Sequence, residues 1–209
     1  MTARFEFFFD YGSPWSYIAN ARVPAVAERA QADVIYRPML LGGVFKATGN
    51  RSPADNPVES KRRYGALDLK RWADRLGVPF QRNPHFPINT LPLMRLAVAA
   101  QGSGVFRTFH QALWPAFWAD ARNLGEPEEV RKVLERAGLD YEGLNAGAQT
   151  ATVKDQLKAT TEEAVTRGAF GAPTFFVGDE MFFGNDRLDF VEDALQRIRG
   201  NPPLRDRRG

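Results

Sequence analysis

The pattern of apolar and polar positions divides the chain into two strand-containing ends and a long helical middle. Residues 4–10 are a short aromatic run that leads into a turn, which predicts a buried strand. Residues 14–30 carry apolar side chains near helical spacing, and Pro24 predicts a kink or a break there. Residues 33–38 alternate apolar and polar, as in a second strand. The chain therefore opens with a predicted right-handed βαβ unit.

The middle of the chain is predicted to be helical after an initial loop. Residues 42–57 are rich in glycine, proline and polar side chains, which predicts that loop. Five segments with helical patterns follow, at 58–77, 91–101, 104–120, 127–138 and 149–168. The first of them places its large apolar side chains close to one face: Tyr64, Leu67, Leu69, Trp72 and Leu76.

Strands return near the end of the chain. Two short apolar runs within 172–184 are separated by Gly178-Asp179, which predicts a β-hairpin, and residues 187–199 predict a last helix. Strands at both ends of the chain predict one mixed sheet. The order βαβ, helices, ββα is that of an α/β, thioredoxin-like fold with a large all-α insertion. We expect the sheet domain to comprise residues 1–42 and 168–209, and the helical domain residues 43–167.

The absence of cysteine restricts the chemistry more than any other feature of the composition. It excludes disulfides, thiolate metal sites, iron–sulfur clusters and a nucleophilic protein thiol. The histidines are His85 and His110 alone, so we also expect no bound metal.

The net charge of +3 does not indicate a nucleic-acid surface. Segment 201–209 has three arginines and one aspartate and so contributes +2, which leaves +1 for the rest of the chain. We therefore expect a solvated tail and no nucleic-acid binding. No apolar run approaches the roughly 20 residues that span a bilayer, and the first residues lack signal-peptide features. We expect a cytoplasmic protein with no membrane segment.

The motif with the clearest chemical meaning lies where the first strand meets the first helix. Ser13-Pro14-Trp15-Ser16 has serines at the spacing of a Cys-x-x-Cys pair, at a helix N-terminus that would stabilise a thiolate. Pro14 suits the first helical position, and Ser13 suits the N-cap. These residues alone leave two interpretations equally open: Ser13 only caps the helix, or it takes part in chemistry.

Several segments together resemble the family of 2-hydroxychromene-2-carboxylate isomerases. They are FEFFFDYGSPWSYIA, TGN followed by NPVESKRRYGALDLKRWA, FPINTLPLMR, GAFGAPTFFV and FGNDRLDFV. The similarity extends to kappa-class glutathione transferases and to DsbA-like proteins, and it covers nearly the whole chain with the motifs in the same order. Trp15 in place of a frequent tyrosine and the inserted Asn56-Pro57 are departures from the family pattern.

The resemblance implies that glutathione binds at the N-terminus of the first helix. Ser13 matches the catalytic serine, whose hydroxyl hydrogen-bonds the glutathione sulfur. The glycine end of glutathione or the substrate carboxylate is contacted by residues that match Asn50 and Lys61. The cysteinyl part is contacted by residues that match Ala172 and Pro173. The γ-glutamyl end is contacted by residues that match Gly184, Asn185, Asp186 and Arg187. In such folds this proline is usually cis.

Each of these residues also has an ordinary structural interpretation. Ala172 and Pro173 could form a turn before a strand, and Asp186 could cap a helix. Asn50 and Lys61 could simply be solvated surface residues.

The implied reaction interconverts 2-hydroxychromene-2-carboxylate and trans-o-hydroxybenzylidenepyruvate by reversible addition of the glutathione thiolate. Lys61 is the candidate cation for the substrate carboxylate or enolate, and Arg37, Arg62 and Arg63 are less favoured.

Three further residues are candidates for contact with the substrate. Asn89 could orient a substrate oxygen or cap a helix. Phe45 and Trp118, with Tyr64, Trp114 and Phe117, could wall a flat aryl substrate, with core packing as the alternative.

Two rival functions stay open. A kappa-like transferase would conjugate glutathione to other electrophiles at the same site. A non-catalytic thioredoxin-fold binding module would have no glutathione affinity. The resemblance also implies a homodimer.

Overall fold

The computed structural model describes residues 3–200, which fold around a four-stranded sheet. The strands are β1 (Ala3–Phe9), β2 (Ala32–Pro38), β3 (Thr174–Val177) and β4 (Glu180–Phe183), in the spatial order β2-β1-β3-β4. β1 is parallel to β2 and antiparallel to β3, and β3 and β4 form an antiparallel hairpin. The predicted βαβ unit, the hairpin and the thioredoxin-like fold are confirmed.

The helices of the described region account for most of the chain. They are α1 (Pro14–Ala30), α2 (Leu41–Thr48), α3 (Glu59–Leu76), α4 (Leu91–Gly102), α5 (Phe106–Trp118), α6 (Pro127–Arg136), α7 (Tyr141–Ala148), α8 (Ala151–Thr166) and α9 (Leu188–Ile198). Pro24 does not break α1, which continues through this exposed residue to Ala30. None of the helices in residues 3–200 has the length and apolar character needed to cross a membrane.

The prediction of an uninterrupted loop over 42–57 is wrong, because α2 and a short 3₁₀ turn at Pro53–Asp55 lie within it. The adjacent glycines Gly42 and Gly43 disfavour a helix, and tertiary contacts overcome that preference. The backbone N–H of Leu41 donates to the Asp10 carboxylate at 2.8 Å. The backbone N–H of Leu40 donates to the Thr161 hydroxyl at 2.9 Å. Both contacts come from distant parts of the chain.

Helix α7 is also absent from the prediction. Gly143 and Gly147 weaken its helical pattern. Asp140 caps the helix by accepting a 3.0 Å hydrogen bond from the Gly143 N–H. Gly147 faces α4, where an added Cβ would lie 3.5 Å from the Cβ of Ala99. An aspartate preceding this segment is the signal that could have identified the helix.

The two faces of the sheet bury different side chains of β1. Phe7 belongs to the larger core, which also contains Trp114 and Phe117 of α5. Phe8 belongs to a smaller core with Phe176. The larger core thus contains residues from the predicted insertion as well as from the sheet. The division into residues 1–42 with 168–209 and residues 43–167 stays a prediction.

Helix α3 buries little of its predicted apolar face. Trp72 and Leu76 pack against the larger core. Tyr64 and Leu67, nearer the start of the helix, are 60% and 46% exposed. The predicted apolar face is therefore buried mainly in the second half of α3, although the 3₁₀ turn at Pro53–Asp55 also contacts this helix. The basic segment 201–209 lies outside those residues.

Candidate functional site

Ser13 lies at the N-cap of α1, at the carboxyl end of β1. Its hydroxyl oxygen accepts a hydrogen bond from the Ser16 N–H at 3.1 Å, and Pro14 follows as the first helical residue. The predicted capping role is therefore confirmed. The same hydroxyl donates to the carbonyl oxygen of Ala172 at 3.0 Å. Ser13 is only 4% exposed, and the first turn of α1 contains no acidic side chain.

The segment before β3 faces this helix terminus. The Ala172-Pro173 peptide bond is cis, as the resemblance implied. The Pro173 carbonyl accepts a 3.0 Å hydrogen bond from the N–H of Gly184. Gly184 has a φ of 104°, which a residue with a side chain rarely adopts. The structure therefore brings together Ser13, Ala172, Pro173 and Gly184.

The turn that begins at Gly184 leads into α9 and contains one unusual buried amide. Asn185 is 3% exposed, and its side-chain Nδ2 has no hydrogen-bond partner in the described region. Its backbone carbonyl accepts from the Arg22 guanidinium at 2.6 Å, which connects the turn to α1. Asp186 pairs with Arg187 at 2.5 Å and makes no capping hydrogen bond. The expected capping alternative for Asp186 is therefore not observed.

Asn50 and Lys61 occupy different settings. The Asn50 side-chain amide donates to the carbonyl of Phe170 at 2.8 Å, so it contacts the segment that precedes Ala172. Lys61 lies exposed in the first half of α3, and no hydrogen bond or ion pair of its ammonium group occurs in residues 3–200. Asn50 thus contacts the segment that leads to Ala172, whereas Lys61 makes no such contact in the described residues.

The candidate substrate residues are not brought together as a set. Asn89 is exposed, and its side-chain oxygen accepts a 3.1 Å hydrogen bond from the N–H of Leu91, the first residue of α4, whose N-cap is Thr90. Phe45 is half-buried on α2.

Trp118 is 2% exposed, packs against Phe80 and Phe86, and donates its indole N–H to the Tyr11 carbonyl at 2.8 Å. Its ring belongs to the core, so we do not retain Trp118 as a substrate wall.

The alternative cations are already engaged. Arg37 forms ion pairs with Glu6 and Glu163 between the sheet and α8. Arg62 donates to the carbonyl of Asn56. Arg63 lies 3.9 Å from Glu59 in the same helix, an exposed pair that is easily broken. Lys61 is therefore the candidate cation without a competing partner in the described part of the chain.

Asp10 is a residue near the site to which the sequence pattern gave no role. The carboxylate is fully buried and accepts three hydrogen bonds. They come from the Gly12 N–H at 2.8 Å, the Leu41 N–H at 2.8 Å and the Thr90 hydroxyl at 3.0 Å. Burial raises the pKa of Asp10, and these hydrogen bonds oppose that rise.

A second buried network lies behind Tyr11. The Tyr11 hydroxyl and Nδ1 of His110 are 2.9 Å apart. Nε2 of His110 accepts from the Trp114 indole N–H at 3.0 Å and lies 2.8 Å from Oδ1 of Asn20. Burial lowers the pKa of His110 to about 3, so the imidazole is neutral near pH 7.

This arrangement is suited to holding an anion beside Ser13. The N-terminus of α1 favours negative charge, and a serine hydroxyl can donate to it. Residues 3–200 contain no group of three or more His, Asp or Glu side chains placed to hold a metal ion. Because the chain has no cysteine, an anionic sulfur at this position must belong to a bound molecule.

Comparisons with known proteins identify the same architecture. Residues 4–196 match the family of DSBA-like thioredoxin domains. The "2-hydroxychromene-2-carboxylate isomerase" of Sphingobium xenophagum is 32% identical over 195 residues, which cover 93% of this chain and 99% of that protein. The human "Glutathione S-transferase kappa 1" is 30% identical, covering 91% of this chain and 89% of that protein.

A solved structure of 2-hydroxychromene-2-carboxylate isomerase superposes with a TM-score of 0.82 at 28% identity. The match covers 93% of this chain and 95% of that structure. Sequence and structure therefore agree over almost the full length. The chain belongs to the 2-hydroxychromene-2-carboxylate isomerase family, a group of isomerases with the DsbA-like thioredoxin fold.

Proposed function

We propose that this protein is a glutathione-dependent isomerase of 2-hydroxychromene-2-carboxylate or a related aromatic keto acid. The observation that carries the proposal is the position of Ser13. Its hydroxyl lies at the N-terminus of α1 and faces the carbonyl before a cis proline, in a chain that has no thiol of its own. A thiolate site without a protein thiol calls for a thiol cofactor, and the kappa-class relative is named a glutathione transferase.

Bound glutathione would replace the hydrogen bond between Ser13 and Ala172, because it would use both the donor and the acceptor of that bond. The Ser13 hydroxyl has one proton, which it now donates to the Ala172 carbonyl. With the cofactor bound, that proton would point to the sulfur, and the Ala172 carbonyl would accept the cysteinyl N–H of glutathione. The unpartnered amide Nδ2 of Asn185 would donate to the γ-glutamyl end. Asn50 would reach the glycine end.

The reaction needs no net oxidation or reduction. The hemiketal ring of the substrate first opens: the bond between C2 and the phenol oxygen breaks, the proton of the C2 hydroxyl passes to that oxygen, and a ketone conjugated with a cis double bond results. The thiolate then adds to the alkene carbon β to the ketone, forming a C–S bond and an enolate. The former double bond is now single and rotates. The enolate then expels the thiolate, which breaks the C–S bond and restores the double bond in the trans geometry. Lys61 is the proposed cation for the carboxylate or enolate.

Activation of the sulfur alone is too weak to explain catalysis. A charged hydrogen bond and a helix N-terminus lower a thiol pKa near 8.5 by ~2 units, which raises the thiolate fraction about 25-fold at pH 7. Intrinsic nucleophilicity falls about eightfold at the same time, so the net gain is about threefold. Positioning of the thiolate and stabilisation of the enolate must supply most of the rate.

The proposal is tested by measuring isomerisation with glutathione, with S-methylglutathione and with no added thiol. We expect turnover with glutathione only, because the methylated cofactor fills the site but cannot form a thiolate. Equal rates in all three conditions would contradict the proposal. A related second function, conjugation of glutathione to other electrophiles, is favoured by the 30% identity with the kappa-class relative. Product analysis with an aryl halide distinguishes the two activities.

We extend the proposal to a homodimer, as the family resemblance implies, and keep the expectation of a cytoplasmic location, which rests on the sequence pattern. Light scattering during size-exclusion chromatography should give twice the chain mass of 23.4 kDa. A particle of one chain mass at micromolar concentration would contradict the dimer without affecting the proposed reaction.

A further inference from the structure

The Asp10 carboxylate connects three separate parts of the chain. One oxygen accepts from the N–H of Gly12, in the turn that precedes Ser13. The other oxygen accepts from the N–H of Leu41, which begins α2, and from the hydroxyl of Thr90, the N-cap of α4. The backbone carbonyl of Asp10 also accepts the N–H of Ser13 at 2.9 Å. A fully buried side chain with these contacts fixes the turn, α2 and α4 relative to one another.

The turn has little room to move independently of α4. A Cβ added to Gly12 would lie 2.8 Å from the Cγ2 of Thr90 and 3.3 Å from Oδ1 of Asp10. The backbone at Gly12 therefore packs directly against the start of α4. A displacement of α4 would be passed to Gly12 and so to Ser13, the next residue.

We propose that Asp10 is a positioning residue, whose carboxylate holds the Ser13 hydroxyl in place by tying its turn to the starts of α2 and α4. The inference rests on the proposed function of Ser13 and adds a residue that acts through it.

Asp10→Asn is the informative substitution because it keeps the size of the side chain. Whichever way the new amide is turned, its NH₂ group faces a backbone N–H, from either Gly12 or Leu41. We expect a loss of roughly 10- to 100-fold in kcat/KM for isomerisation, the range associated with ångström-scale misplacement of a reacting group. Asp33→Asn makes the same chemical change at an exposed position of β2 and should retain the wild-type rate.

A double-mutant cycle with Ser13→Ala separates positioning from general damage to the fold. If Asp10 acts through Ser13, adding Asp10→Asn to Ser13→Ala should reduce kcat/KM less than twofold further. If the two losses multiply, Asp10 does not act through Ser13, and the inference is overturned. A rate for Asp10→Asn alone within twofold of wild type would also overturn it.

Thr90→Val supplies the measurement if Asp10→Asn does not fold. It removes one hydrogen bond to Asp10 without opposing two donors, so we expect a loss of about fivefold that also disappears in the Ser13→Ala background. A loss that persists undiminished in that background overturns the inference. The Ser13→Ala rate is read first: if it equals wild type, the proposed role of Ser13 fails and the inference about Asp10 is overturned with it, whereas the comparison with and without glutathione tests the proposed function. A slowed Ser13→Ala enzyme with multiplicative losses refutes only the role of Asp10.

Discussion

The hydroxyl of Ser13 donates to the carbonyl of Ala172 at 3.0 Å, across 159 positions of sequence. This hydrogen bond joins the N-terminus of α1 to the segment before β3. Both of its ends are groups that a bound thiol tripeptide would use, one for its sulfur and one for its cysteinyl N–H. The contact therefore marks the place where we propose that glutathione binds.

Substitution of Ser13 should change both the rate of isomerisation and the stability of the protein, and the two effects are measured separately. Ser13→Ala removes the hydrogen bond that positions the thiolate against the alkene. We expect kcat/KM to fall roughly 10- to 100-fold, more than the threefold gained by activation of the sulfur alone. It also removes an N-cap, so the free energy of unfolding should fall by about 1 kcal/mol. Steady-state isomerase kinetics and urea unfolding measure the two effects.

Ser16→Ala is the matched control for Ser13→Ala. The Ser16 hydroxyl is fully buried and has no hydrogen-bond partner in the described residues, so its removal should cost neither rate nor stability. Its backbone N–H, which caps onto Ser13, is unchanged by the substitution. Equal rate losses in the two variants would show that Ser13 has no special role.

Replacing Lys61 tests the proposed cation. Lys61→Met keeps most of the side-chain length and removes the charge, so kcat/KM for the keto acid should fall about tenfold. The dissociation constant of glutathione should change less than threefold. Lys158→Met, on the exposed face of α8, is the control for charge removal elsewhere. A loss confined to glutathione affinity would instead place Lys61 at the glycine end of the cofactor.

Much of this architecture follows from local patterns, and the rest depends on distant contacts. The aromatic run before Ser13 and the turn at Gly178-Asp179 carry their own signals, so β1 and the hairpin were predictable. α2 was not predictable, because Gly42 and Gly43 disfavour a helix in its first turn. The hydrogen bond from the Leu41 N–H to Asp10 that supports this helix depends on the tertiary fold. The role of Asp10 is equally invisible in the sequence, since Thr90 lies 80 positions away.

The buried imidazole of His110 should make the protein less stable in mild acid. Its pKa of about 3 lies below the usual 6.5, so the unfolded state binds more protons between these values. Stability is therefore lost as the pH falls through this window, by about 1.4 kcal/mol per unit at most, or about 2 kcal/mol from pH 7 to 5. Urea unfolding between pH 4 and pH 7.5 measures the slope.

His110→Gln removes this titration and serves as its control. The variant should be less stable at neutral pH, but its stability should fall less steeply with acid. Asp10 acts in the opposite direction, because its raised pKa lets the native state take up a proton first as the pH falls. Its contribution is present in both proteins and cancels in the comparison. Identical pH slopes for the two proteins would contradict the assignment to His110.

The central claim, that Ser13 and the N-terminus of α1 hold a glutathione thiolate, is tested most directly by titrating that thiolate. Its absorbance near 240 nm can be followed against pH in the presence of the protein, which contributes no cysteine signal of its own. We predict that the pKa of bound glutathione lies about 2 units below that of the free thiol and moves back toward the free value in Ser13→Ala. A bound thiol that titrates like free glutathione in both proteins would contradict the account.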